Sequence, residues 1–594
     1  DVLQRTGDVC HNGSRGQRFL EVLVTMKTIY TIVGCASWFF CSQGCQNKPA
    51  LTLDFSGSRL EVIINGKSYT NNSTYNWGNV SSGATISVQG QLRNQAPFTA
   101  TLTGTTAITL SGDHASDIVL TQPASNTIAA SGTQDFSFTI TPQALQTRSA
   151  KLTIVSSPGN DVFTLNLTGY RYGIMLVKDI NSGAGSSSPI RFTMIGSKLY
   201  FAATDGTNGV EPWISDGTTT GTKLIANINA GSADSDPRSF TQFNSAVYFR
   251  ADESASGTEL WRTDGTTGGT YLVRDIQSGS GSSTPSDFCE FNGFLYFTAD
   301  TTAAGNELWR TDGTYIGTTM LANLNSGTAN GNAGGMFVHS STRMVFSGDD
   351  GATGYEPYKT DGTTISIVQN IASSGSNSSP SGFFAFSGAT VFKASSQLYK
   401  ITSASATSAS LVKNINPDRF TIFGDKLIFE GLDGTNGSEI WISDSTLTSG
   451  GTNLLKDINP GTANSNPNYF TVLGSKLLFS ACESATDCEL WTTDGTAIGT
   501  VRVKDINPGT GASSSPSSLV AIGNTVYFSA NDGINGAELW RSDGTTAGTY
   551  MVEDINPGAT GSSPTGLKSF GSGFYFAATT AANGTELYMY VPPP

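Results

Sequence analysis

From residue 174 to the C-terminus one short pattern keeps returning, and it limits what this chain can fold into more than any other feature. A Glu-X-aromatic step occurs as Glu211-Pro212-Trp213, Glu259-Leu260-Trp261, Glu307-Leu308-Trp309, Glu356-Pro357-Tyr358, Glu439-Ile440-Trp441, Glu489-Leu490-Trp491, Glu538-Leu539-Trp540 and Glu586-Leu587-Tyr588. A degenerate Gln397-Leu398-Tyr399 fills the one gap, and successive aromatics stand 48, 48, 49, 41, 42, 50, 49 and 48 residues apart. A polar-apolar pair, as in Asp-Ile-Asn, travels with it at Asp179, Asn227, Asp275, Asn323, Asn370, Asn414, Asp457, Asp505 and Asp554. Two anchors in step, nine times over, mark a repeat array.

Inside a unit the order is constant. Two alternating segments such as FTQFN and AVYFRADE come first, then ELWRTD after a Gly-containing loop, the turn DGTTGGT, and TYLVRDI. Asp-Gly favours a tight hairpin turn, because Gly accepts positive φ and Asp bonds back to nearby amides. Four antiparallel strands in some 48 residues is the size of a propeller blade. A lone blade leaves both faces bare, so the units must stack radially. Trp213, Trp261, Trp309, Trp441, Trp491 and Trp540, six of the eight Trp, share one place in the repeat. Burying an indole removes roughly 150–250 Å² from water, so that place reads as packing between blades. The array opens with the last strand of a unit, 175–181, and ends with a third strand, 586–590. Pairing the two would close a ring and hide two sheet edges. The expectation is an all-β chain in which 174–594 forms a β-propeller of about nine four-stranded blades. The count falls to eight if the short unit 375–414, which lacks Asp-Gly-Thr, is only an insertion.

Residues 48–172 read differently. RLEVIING, ATISVQGQL, DIVLTQ, DFSFTITP, AKLTIVS and FTLNLTG alternate apolar and polar positions between Gly, Ser, Asn and Pro clusters. Such strands at such spacing predict an Ig-like β-sandwich. Charged residues make up only 13% of the chain and the formal net charge is -14. With no basic run, binding to a phosphate backbone has no electrostatic basis, so nucleic acid is excluded as a partner.

The array resembles the bacterial ELWxxDGT repeat family, on ELWRTDGT, ELWTTDGT and ELWRSDGT, over about 70% of the chain. Residues 98–169 are similar to the choice-of-anchor D domains of bacterial surface proteins, which resemble the ASPM/SPD-2/hydin type of Ig-like module. The resemblance implies an exported or surface-attached repeat protein and supplies no catalytic residues.

The first Met is Met26, and MKTIYTIVGCASWFFCSQGC has the layout of a secretory signal over 26–45. The run also resembles a bacterial lipoprotein signal, with Cys45 as the lipidated residue and Cys35 as the alternative; cleavage without a lipid would give a secreted protein. Residues 1–25 then read as upstream sequence that is not translated or not ordered. Beyond the leader stand only Cys289, Cys482 and Cys488. Cys482 and Cys488 share one hairpin neck, where cross-strand geometry favours a disulfide in an oxidising compartment. Cys289 reads as a buried small apolar residue.

The repeated Glu reads as a structural hydrogen-bonding residue. Three loops space oxygen ligands evenly: Asp205, Asn208 and Glu211; Asp433, Asn436 and Glu439; and Asp532, Asn535 and Glu538. They are weak calcium candidates, short of the ligand number of a dedicated loop, and no other metal or cofactor is indicated. Only three His exist, near-uniform blades offer no mixed polar site, and so the chain is expected not to be an enzyme. The expected function is binding, as adhesion or envelope scaffolding, by a lipid-anchored protein of the bacterial cell envelope or surface. A protein or glycan is the ligand, and the membrane is met only through the anchor. The alternative is a carbohydrate-active enzyme on a propeller.

Overall fold

Alternation of apolar and polar residues builds the N-terminal block as two sheets face to face. The computed structural model describes residues 59–594, apart from 82, 105, 158–159, 374 and 510. Residues 1–25, the leader 26–45 and the lipidation candidates Cys45 and Cys35 lie outside the described residues. In one sheet Lys67–Tyr69, Leu60–Ile64, Ile86–Asn94, Thr133–Ile140 and Ile118–Thr121 are hydrogen-bonded in that order. In the other, Gln146–Ser157 pairs with Ala100–Leu102, Ile108–Ser111 and Asp161–Lys178, and Ser73–Ser81 lies parallel to the last of these. Val62, Leu92, Phe138, Leu152 and Leu165 form part of the apolar interior. Gly169 is required there, since a Cβ on it would collide with the Trp77 indole.

The described residues beyond this block form nine four-stranded antiparallel blades. Each blade runs from the innermost strand outward; in blade two these are Arg238–Phe243, Ala246–Glu253, Gly257–Thr263 and Tyr271–Arg274. The degenerate unit is a whole blade, Ser381–Phe386, Ala389–Ala394, Gln397–Ile401 and Ser410–Lys413, so the count is nine rather than eight. Blade nine takes three strands from the C-terminal end, Thr565–Phe570, Gly573–Thr580 and Gly584–Val591. Its fourth is the second half of Asp161–Lys178, with Gly173 opposite Val591 and Lys178 opposite Leu587. Innermost strands touch their neighbours all the way round, including Ile190–Ile195 against Thr565–Phe570. The ring is closed.

One apolar cluster fills each blade interface. At the seam Val177, Tyr575, Leu587 and Met589 of blade nine meet Leu199, Phe201 and Trp213 of blade one. Trp261, Trp309, Trp441, Trp491 and Trp540 occupy the same place at later interfaces. Trp491, 4% exposed, packs on Ile428 and Ile440 of the blade before it.

At 172–173 the chain passes from sandwich pairing to ring pairing, Tyr172 standing opposite Ser81 and Gly173 opposite Val591. No linker separates the two blocks: Asp161–Lys178 is one strand of 18 residues, half in the sandwich and half in the ring. The sandwich therefore adjoins the face of the ring at which outer strands begin, and Tyr170 Oη lies 3.2 Å from Ser572 Oγ in a turn on that face. The opposite face carries the crossovers from each outer strand to the next innermost strand.

Trp491→Ala is expected to destabilise the ring by about 3–5 kcal/mol, through lost burial plus the cavity left between two blades. Tyr550→Ala, at an outer-strand residue 45% exposed, should cost under about 1 kcal/mol. Urea denaturation midpoints of the two variants check the contrast.

Candidate functional site at the axial mouth

The repeated Glu holds the crossovers. Glu489 lies at the start of a third strand, fully buried. It accepts hydrogen bonds from the amide of Ile506 at 2.9 Å and from the amide and hydroxyl of Ser514 at 2.9 and 2.6 Å. Both donors belong to the crossover into the next blade. Glu259 does the same with Ile276, Gln277 and Ser283. Glu586 receives Ile180, Asn181 and Ser187, so the same clamp secures the seam. In blade five Gln397 stands in its place and donates to Asn414 Oδ1 at 3.0 Å.

Each crossover delivers the chain to the axis, where every innermost strand begins with a bulge. The bulge residues are Arg191, Ser239, Asp287, Gly335, Gly382, Arg419, Tyr469, Ser518 and Gly566 in blades one to nine, all left-handed with φ between 53° and 67°. Six are not Gly, and left-handed backbone there carries strain. The bulge turns the next residue into a blade interface, as Phe240 packs on Phe249 and Phe470 on Phe479. Gly566 has no alternative, since a Cβ there would meet the Phe192 ring.

What differs between blades is concentrated here. The residue before each bulge pairs directly with the second strand, giving Ile190–Ala202, Arg238–Arg250, Ser286–Thr298, Gly334–Ser347 and Ser381–Lys393 in blades one to five. Blades six to nine give Asp418–Glu430, Asn468–Ser480, Ser517–Ser529 and Thr565–Ala577. One equivalent position thus presents cations, carboxylates, hydroxyls and bare glycine around a single mouth.

Two charged groups flank the opening. In blades one and two Asp236 accepts from both Arg191 and Arg238. In blade six Arg419 pairs with Glu430, whose other oxygen accepts the Ser438 hydroxyl. Between Gly382, Phe383, Lys393, Asp418 and Arg419 lies a cavity of about 320 Å³. A second, about 340 Å³, is bounded by Asp287, Gly335, Ser347, Tyr355 and Gly382. The glycines at the bulges of blades four and five leave this space open.

The calcium candidates do not converge. Asp205 accepts the Thr207 and Asn208 amides at 2.9 and 2.7 Å and the Asn208 side chain at 2.8 Å, which closes its own turn. Glu211 instead faces Ile228, Asn229 and Ser235 of the crossover. Asp433–Asn436 and Asp532–Asn535 close the same turns, and Glu439 and Glu538 hold crossovers. Among the described residues no group of three His, Cys, Asp or Glu could hold a metal ion. Cys482 and Cys488 are joined by a disulfide across their hairpin. Cys289 is half-buried rather than buried, and desolvation pushes its thiol up to about 11.

Sequence reasoning missed the mouth. Its signal is Pro-X-X-apolar, as in Pro189-Ile190-Arg191-Phe192, Pro237-Arg238-Ser239-Phe240 and Pro417-Asp418-Arg419-Phe420, with eight of the nine units carrying the Pro. The two middle residues vary while their frame does not.

No protein-family model matches the chain, and no curated protein does. Among solved structures it is similar to a Mycobacterium tuberculosis puromycin-hydrolyzing peptidase, at 11% identity over 69% of this chain and 61% of that one, TM-score 0.35. It is also similar to a prolyl endopeptidase, at 10% identity over 68% of this chain and 55% of that one, TM-score 0.36. The ASH/PapD-like domain of human CEP192 matches at 12% identity over 22% of this chain and 96% of that domain, TM-score 0.15. The chain spans less than two thirds of either peptidase, and a likeness at these identities is one of fold. One expectation is corrected. Near-uniform blades were the ground for expecting no enzyme, yet the mouth positions differ in charge and polarity from blade to blade. The ring gives no ground for placing this chain outside the enzymes.

Glu489→Ala strands three buried donors and should cost about 3 kcal/mol or more, read by denaturant unfolding. The pH dependence has a definite sign. Burial raises the carboxyls of Glu211, Glu259, Glu307, Glu439, Glu489, Glu538 and Glu586 above the usual 4.5, against their hydrogen bonds. Their contribution is complete below 4.5 and is lost as pH rises. Hydroxyl bonds from Thr266, Thr314, Thr496 and Thr545 hold Asp264, Asp312, Asp494 and Asp543 below the usual 3.8. That contribution is present above 3.8 and is lost as pH falls. Tm measured across pH 2–8 should therefore peak near about pH 4 and decline on both sides.

Proposed function

We propose that this chain is an exported binding protein of the ELWxxDGT-repeat kind, displayed at the bacterial cell surface, whose ligand is taken at the axial mouth of the ring. The observation that carries the reading is the contrast within the repeat. Residues that pack and clamp recur blade after blade, whereas the mouth positions differ in charge, size and polarity. A purely architectural ring has no use for such variety at one rim. The mouth also opens on the face away from the sandwich. A glycan or a protein segment fits the open cavities, and net acidity disfavours nucleic acid.

One observation favours a second reading, hydrolysis of a bound carbohydrate. Asp418 and Glu430 are direct cross-strand partners, which places their Cβ atoms about 5 Å apart. Neighbouring carboxyl groups on facing strands are the pair of residue types that a glycosidase needs as acid and as nucleophile or base.

The test is a glycan and matrix-protein array on the purified protein, with released sugar measured in parallel. Lys393→Glu at the mouth should weaken binding at least tenfold, while Lys223→Glu on an exposed outer strand should leave it unchanged. Ligands that bind both variants as well as they bind the wild type would remove the mouth from the account. Turnover abolished by Asp418→Asn and by Glu430→Gln would favour the second reading.

A further inference from the structure

We infer that blades one and two hold an oxyanion site in the mouth, formed by Arg191, Arg238 and Arg250 around Asp236, and that the ligand is recognised there through a carboxylate, sulfate or phosphate group. The inference deepens the mouth-binding reading and rests on it.

Three guanidinium groups face one carboxylate. Arg191 Nη1 donates to Asp236 Oδ1 and, at 3.1 Å, to the Pro237 carbonyl. Arg238 donates to Asp236 Oδ2 from Nε at 2.9 Å and from Nη2. Both oxygens of Asp236 are therefore engaged. Arg250 stands directly opposite Arg238 across the two strands, a like-charge pair that is unfavourable unless something offsets it. Among the described residues Arg250 has no hydrogen-bond or ion-pair partner, and the only charges acting on it are Arg238, Arg191 and Asp236. The cluster carries two uncompensated positive charges on a chain whose formal net charge is -14.

The backbone adds a second cost. Arg191 is the bulge residue of blade one at φ 61°, where Gly serves in three other blades. Arg is kept at a position that Gly would occupy without strain. Burial and the neighbouring guanidinium groups make the charged form of Arg250 less favourable than usual. A planar fork of N–H donors without an acceptor, next to two more forks, matches the bidentate recognition of carboxylate, sulfate and phosphate. The remaining negative charge of the chain favours one anionic group reaching into the mouth over a long polyanion lying across it.

The test is thermal unfolding of the full chain in sulfate, phosphate or acetate, each at ionic strength matched with chloride. The expected result is a saturable rise in Tm with at least one of the three, and the most effective anion identifies the group. Arg250→Gln should raise the half-saturating concentration at least tenfold, with Arg250→Lys in between. Without added anion Arg250→Gln should unfold at the same temperature as the wild type or higher, since it relieves repulsion; a residue that serves only packing would lower it. Equal shifts in wild type and Arg250→Gln, or no saturable shift with any anion, would overturn the site. If array ligands bind at the mouth but none is anionic and Arg250→Gln leaves them intact, the site falls and the mouth remains. If sulfate protects through Arg250 and no array ligand binds, the site stands and the broader reading falls.

Discussion

Everything in the ring depends on a buried carboxylate that holds the chain where it passes from one blade to the next. A crossover has no strand partner, and buried amides there must be satisfied locally. Glu at the start of the third strand does this with two oxygens and several donors, as Glu259 shows with Ile276, Gln277 and Ser283. The clamp fixes where each innermost strand starts, and so where each bulge meets the axis. It is the same at Glu586, where the crossover comes from far away in sequence. Closure is thus one more copy of a local rule, assisted by the apolar seam around Val177 and Trp213.

With position fixed by Glu and packing fixed by Trp and the residue after the bulge, the two residues before that apolar step are released from structural duty. Their side chains line the mouth, and where they pair they do so with partners that differ from blade to blade, as Arg419 does with Glu430 and Ser286 with Thr298. Arg191, Asp287, Arg419 and Tyr469 occupy one equivalent place. A repeat built this way keeps its stability in recurring residues and its chemistry in the changeable ones.

The same division decided what could be read from the sequence. The blade, the Trp packing and the complementary fragments at the two ends were legible because they recur or because they complete one another. The mouth was not legible, because its residues differ in every unit and look like drift until the bulge shows that they share a place. The calcium-candidate loops do not converge, for a related reason. Even spacing of Asp205, Asn208 and Glu211 suggested convergence, but strand geometry turns Glu211 toward the crossover while Asp205 folds back on its own turn. Across 172–174 TGYRYGIMLVKDI alternates without a turn signal, and the structure keeps it as one strand whose partners change from the sandwich at Tyr172 to the ring at Gly173.

That uninterrupted strand has a mechanical consequence. Asp161–Lys178 hydrogen-bonds to Gln146–Ser157 in the sandwich and to Gly584–Val591 in the ring, with no hinge between. A ligand held at the mouth and pulled against an N-terminal tether would load this strand along its length. Its backbone bonds on both sides would bear the tension together, in shear rather than one by one. The seam that shuts the toroid would then also be the joint through which traction reaches the sandwich, so that holding fast and staying closed would become a single requirement.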